Sequence, residues 1–181
     1  MTMAMNDTSK GADTVPGALP AEDTPPLVNS PRDDAIADYG MDIQSPMLMR
    51  LYELWRSRRV GGKLPARGDF DPVEMKECLG NIFILEYVPE LDNFRYTLIG
   101  TKIVNWVGVD NTGKLVDEIF DDRMRQFYKG LQARQLPVRT SGKVVWRGKD
   151  HVAYELVTLP LSDDKQVVNR FIGAMDFHMK C

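Results

Sequence analysis

The stretch NFRYTLIGTKIVNWVGVDNTGKLVDEIF, residues 93–120, decides between two very different folds. It contains GVDNTGKL, Gly108 to Leu115, which reads G-x-x-x-x-G-K, one residue short of the phosphate-binding loop of nucleoside triphosphatases. That loop follows a strand, opens a helix and needs Ser or Thr after the lysine to hold Mg²⁺. Here Leu115 follows Lys114, Asp110 would repel a phosphate, and the run before Gly108 is the helical TKIVNWV. The same residues serve as plain chain geometry: Gly108 stops a helix, Asp110 and Asn111 form a turn, and Gly113 permits a positive φ before KLVDEIF. The stretch therefore predicts strand (93–100), short helix (101–108), turn and second short helix (114–120), and nucleotide hydrolysis is not expected.

On the C-terminal side, Asp121 or Asp122 caps a longer helix whose Met124, Phe127, Tyr128 and Leu131 share one face and which stops at Leu136-Pro137. Three strand patterns follow: VRTSGKVVWR (138–147), HVAYELVTLPL (151–161) and VNRFIGAMDFH (168–178). On the N-terminal side, NIFILEYV (81–88) reads as a strand joined to 93–100 by a hairpin turn at PELDN. Before it, DPVEMKECLG predicts a helix over 72–79 with Asp71 as its cap, and SPMLMRLYELWRSRR predicts an amphipathic helix over 46–59 with Ser45 as its cap. Two strands, three helices and three strands do not alternate as a doubly wound parallel sheet requires. The expectation is an α+β fold with a five-stranded antiparallel sheet, short helices on one face, and the 46–59 helix on the other face or at a dimer interface. Strands such as IFILEYV and FIGAMDF are apolar at both parities, so both faces should be covered.

The chain has 181 residues, 43% of them hydrophobic, and a net charge of −3. That charge conceals two unlike segments. Residues 1–45 carry Lys10 and Arg32 against eight acids, hold five of the eleven prolines, and have Tyr39 as their one aromatic. Such a segment buries too little apolar surface to offset the entropy of ordering. Residues 1–44 are therefore read as an acidic, mostly disordered tail with some order possible near 33–43, and 45–181 as the domain. No run is long and apolar enough to span a membrane, and the N-terminus lacks the basic start and apolar stretch of a secretory signal, which predicts a cytoplasmic protein without membrane insertion. Cys78 falls in an apolar pattern and reads as a core residue; it and Cys181 form no metal or disulfide motif.

LYELWRSRR with LPARGDFDP (51–72), FRYTLIGTKIVNWVG (94–108), DNTGKLVDEIF (110–120) and LPLSDD (159–164) together resemble the PAS domain superfamily, in particular the small bacterial single-domain PAS proteins grouped as PAS family five. The similarity runs over about residues 46–178. It implies a five-stranded antiparallel sheet with a pocket between its inner face and the helices in 101–136, a role in sensing or protein interaction, and dimerisation through the leading helix. PAS domains that hold haem or flavin keep a ligating His or reactive Cys on the pocket helices; residues 101–136 contain neither, so haem and flavin are not expected.

Several aromatics exceed what a minimal core requires. Tyr96, Trp106, Phe120, Phe127, Tyr128 and Leu131, with Trp146, Tyr154 and Met175, are the candidates for a small-molecule pocket, since aromatic walls with a few polar tips suit an apolar or amphipathic ligand. Leu48, Leu51, Tyr52, Trp55, Arg56 and Arg59 are the candidates for an interaction surface toward a second copy or a signalling protein. The basic run at 56–67 lacks stacked aromatics and any DNA-reading motif, so nucleic acid is not expected. The chain contains no recognisable nucleophile motif and is expected not to be an enzyme. The competing expectation is a small NTF2-like enzyme acting on a hydrophobic metabolite, with His151 or Asp176 as acid or base.

Overall fold

The computed structural model describes residues 35–144 and 152–179. Among these residues six strands, β1 (Ala35–Asp38), β2 (Ile82–Val88), β3 (Asn93–Ile99), β4 (Val138–Lys143), β5 (Val152–Leu161) and β6 (Arg170–Met179), form one sheet in the order β1-β4-β5-β6-β2-β3. Every neighbouring pair is antiparallel. Three α-helices among the described residues accompany it: α1 (Pro46–Ser57), α2 (Thr101–Val107) and α3 (Asp122–Arg134).

The fold is the expected α+β arrangement with one strand more than expected. The sixth strand comes from residues assigned to the tail: β1 pairs with β4, Ile36 opposite Ser141 and Asp38 opposite Arg139. Four residues, AIAD, carry almost no strand signal of their own. They are ordered by the free backbone edge of β4, which exists only after the sheet forms. Met41 and Ile43 behind β1 are buried in the core.

The register of β5 divides the sheet into two faces. Tyr154, Leu156 and Thr158 stand opposite Phe177, Met175 and Gly173 of β6 and point one way; Glu155, Val157 and Leu159 point the other. Both sets are almost wholly buried, as the doubled apolar parity predicts. Helix α1 covers the second face across β5 and β6. Ser45 caps it, its Oγ accepting from Leu48 N, with Pro46 at the first helical position. Leu48, Leu51 and Trp55 are fully buried, and Trp55 Nε1 donates to Pro160 O at 2.8 Å.

Two expected helices are not α-helical. Residues 71–81 form successive turns closed by i to i+3 bonds, Met75 N to Pro72 O (3.2 Å), Cys78 N to Met75 O (2.9 Å) and Asn81 N to Cys78 O (2.7 Å). Their buried residues Met75, Cys78 and Asn81 recur every third position, which matches the three-residue turn and not the 3.6-residue one. KLVDEIF contracts to one 3₁₀ turn at Val116–Glu118, with the Glu118 carboxylate accepting from Leu115 N at 2.6 Å. Val116 is the inward residue there, while Leu115 is half-buried and bridges Arg95 of β3. So short a segment cannot offset helix nucleation without tertiary contacts at helical spacing.

Candidate functional site

Between the first sheet face and the helical layer of α2, the 108–121 loop and α3 lies a cavity of about 510 Å³. This is within the size range of small-molecule sites, roughly 300–1,000 Å³. The sheet supplies Phe83, Tyr96, Thr140, Tyr154, Leu156 and Met175 to its wall. Alternation puts them there: Thr140 stands opposite Leu156, Leu156 opposite Met175, and Tyr96 opposite Leu85. Phe83 lies over Gly173, where a Cβ would collide with its ring and come within 2.7 Å of Val157 O, so the glycine makes room for this part of the wall. Helix α2 contributes Ile103 and Val107, one turn apart, and α3 contributes Met124, Phe127 and Tyr128.

Loop 108–113 roofs this layer through backbone geometry. Gly108 closes α2 in the left-handed conformation (φ 83°), its N–H donating to Val104 O at 2.6 Å. Asp110 Oδ1 accepts from Thr112 N at 2.9 Å, and Gly113, at φ 89°, donates to Tyr96 O at 2.7 Å. The stretch that resembled a phosphate loop is a strap onto β3, and Val109 and Asn111 of it line the cavity.

The described wall carries no charged side chain. Its polar groups are hydroxyls and the Asn111 amide. Tyr96 and Tyr128 hydrogen-bond each other through their hydroxyls; burial pushes the Tyr128 phenol well above its ordinary pKa, and the neighbouring Tyr96 and Tyr154 add to the shift. Tyr128 therefore keeps its proton at physiological pH. Thr140, only 5% exposed, has an Oγ1 without a hydrogen-bond partner. Such a buried hydroxyl costs about 1–3 kcal/mol.

Of the nine residues read as pocket candidates, Tyr96, Phe120, Phe127, Tyr128, Tyr154 and Met175 line the cavity. Leu131 is completely buried in the core beside it, and Trp106 stacks on Phe177 of the same sheet face, ring centres 5.0 Å apart, next to the cavity and not in its wall. Trp146 lies outside the described residues, as does His151. Sequence reasoning missed Phe83, Leu156 and Thr140, whose facing depends on register, and also Ile103 and Val107, whose i, i+4 spacing was a readable signal.

On the opposite face, Glu155 accepts from Gln44 N (2.9 Å), Ser45 N (2.7 Å) and Arg139 Nε (2.5 Å). Burial alone would raise its pKa, but the Gln44 N–H, the Arg139 guanidinium and the Ser45 N–H outweigh it and hold the carboxyl below its ordinary value. Asp176 accepts from Ser45 Oγ at 2.6 Å on this same face, turned away from the cavity. The residues read as an interaction surface divide likewise. Leu48, Leu51 and Trp55 are buried against the chain's own sheet, whereas Arg56 and Arg59 are exposed and Tyr52 is half-buried. Arg56 lies over the Tyr52 ring (5.8 Å) and Arg59 over the Trp55 ring (5.1 Å).

Among the described residues no helix is long and apolar enough to cross a membrane. The family model described as PAS domain, family five, matches residues 43–176. No curated protein matches the chain.

Proposed function

The chain belongs to the PAS domain family, whose members are sensory and interaction modules, and from that premise we propose that its cavity binds a small apolar or amphipathic ligand and that the protein signals through contacts with another protein. The observation that carries this reading is the cavity itself: about 510 Å³ of space walled by apolar and aromatic side chains, with hydroxyls at a few points. A core required only for stability would be filled, because each void forfeits packing.

Strand β5 supplies a route from ligand to surface. Tyr154 and Leu156 line the cavity, while Glu155 between them holds the backbone at the start of α1 from the other face. A ligand that shifts β5 alters the seating of α1, provided that it binds the two arrangements unequally. Output then passes through the exposed edge of α1, with Tyr52, Arg56 and Arg59 facing a second copy of the chain or a signalling partner in the cytoplasm.

The reading is non-catalytic. The described wall offers hydroxyls and an amide, and Asp176, the described member of the acid–base pair considered from sequence, is engaged by Ser45 on the far face. Native mass spectrometry of the purified chain, followed by denaturation to identify what is released, tests the proposal. A stoichiometric organic ligand is the expected result. Turnover of that molecule by the protein would replace the sensor with an enzyme, and a protein that neither carries nor takes up any small molecule would leave an interaction module alone.

A further inference from the structure

Thr140 sits on β4, its backbone opposite Leu156 and diagonal to Tyr154, on the face that lines the cavity. Its Oγ1 is the one polar side-chain atom of the described wall that is both buried and without a hydrogen-bond partner. Valine has nearly the same shape and would fill this position in the strand without an orphaned hydroxyl. An unpartnered buried hydroxyl calls for an explanation, and Thr140, unlike the equally unpartnered Thr158, stands beside a cavity from which a partner can reach it. Rotation about χ1 exchanges Oγ1 with the methyl, so the hydroxyl can be presented to the cavity without moving the backbone.

The rest of the wall sets the electrical character of the occupant. No described lining residue is charged, so neither a carboxylate nor an ammonium group would find a counter-charge after losing its water. The aromatic rings interlock by their edges, Phe83 against Tyr96 at 62° and Phe127 against Tyr128 at 69°, instead of forming parallel faces around a cation. Resting on the reading of the cavity as a ligand site, we infer that the physiological ligand is a neutral, largely aromatic or hydrocarbon molecule bearing an uncharged carbonyl or hydroxyl oxygen, and that Thr140 is the residue that hydrogen-bonds this oxygen. Specificity then follows from the mismatch: an isostere without the oxygen leaves Thr140 unpaired, and a charged isostere is stranded in an apolar wall.

The test uses similar-sized probes on the purified full chain, freed of any bound molecule by unfolding and refolding and then shown by native mass spectrometry to be empty. These are 2-acetylnaphthalene, its hydrocarbon isostere 2-isopropylnaphthalene, the carboxylate 2-naphthoate, and the 2-naphthyltrimethylammonium ion, each titrated calorimetrically. The ketone should bind about tenfold tighter than the hydrocarbon and about a hundredfold tighter than either ion. Thr140→Val should erase the ketone's advantage over the hydrocarbon, leave hydrocarbon binding within about twofold, and melt no lower than the parent chain. Thr140→Ser, which keeps the hydroxyl, should preserve the advantage, so a folding defect in one variant does not decide the matter. Equal binding of ketone and hydrocarbon, or an advantage that survives Thr140→Val, removes the role of Thr140 while leaving the cavity a ligand site. Tightest binding by an ion overturns neutrality. Binding by none of the four overturns the ligand-site reading and this inference with it.

Discussion

Gly173 and Phe83 show how one missing side chain shapes the cavity. Any β-carbon at 173 meets the Phe83 ring and the Val157 carbonyl, so Gly173→Ala must push the ring into the cavity or part the strands. The expected cost is about 1–3 kcal/mol, measured by urea denaturation, with part of it recovered when Phe83→Leu is added. Glu155 is the second residue with a readable consequence. Its folded pKa is depressed, so its contribution is complete above the unfolded value, about 4.3, and is lost as the pH falls through the folded one. Stability should decline below about pH 4.5, and Glu155→Gln should make that decline shallower; an unchanged acid limb would show that the carboxylate is not what ties α1 to the sheet. Cys78 donates its thiol to Met75 O at 3.1 Å, and burial pushes its pKa up, so it should resist thiol reagents until the chain unfolds.

Among the elements, α1 is the one whose role changed most between pattern and structure. Its amphipathic stripe was plain from Leu48, Leu51, Tyr52 and Trp55, but a stripe does not say what covers it. The sheet's own second face does, and so the apolar half of the expected interaction surface is internal. Trp55→Ala should cost about 3–5 kcal/mol, and it also removes the donor to Pro160 O. Ser45→Ala should cost about 0.5–2 kcal/mol through the lost cap, measured in the same way. Arg56→Glu with Arg59→Glu, by contrast, should leave the melting temperature nearly unchanged and weaken self-association or partner binding, as read by sedimentation. The segment 71–81 carried a cap and a stop at helical positions and 114–120 a short helical pattern, yet both formed tight turns. In 71–81 the buried residues Met75, Cys78 and Asn81 answer to contacts at three-residue spacing, which local propensity does not register.

For the molecule as a whole, occupancy of the cavity and stability are linked. A ligand present at a hundred times its Kd stabilises the folded state by about 2.7 kcal/mol. For a domain of this size that raises the melting temperature by roughly 5–10 °C. A ligand that binds elsewhere would stabilise equally well, but its effect would not diminish in the Gly173→Ala variant, where the cavity is narrowed.

The fold class, the order of β2 to β6 with α1, α2 and α3, the cap at Ser45, the start of α3 at Asp121 or Asp122, and the inward face of α3 were all legible in the chain, because each depends on neighbours within a few positions. Six of the residues that line the cavity, five aromatics and Met175, were named from the chain itself. The sixth strand, the facing of Phe83, Leu156 and Thr140, and the stacking of Trp106 on Phe177 were not legible, because each depends on which distant strand lies opposite. A shift of one residue in register exchanges the two faces of a strand, and nothing local records it. The cavity belongs to this second kind: an absence of atoms between a sheet and a layer of helices is defined only once both are in position.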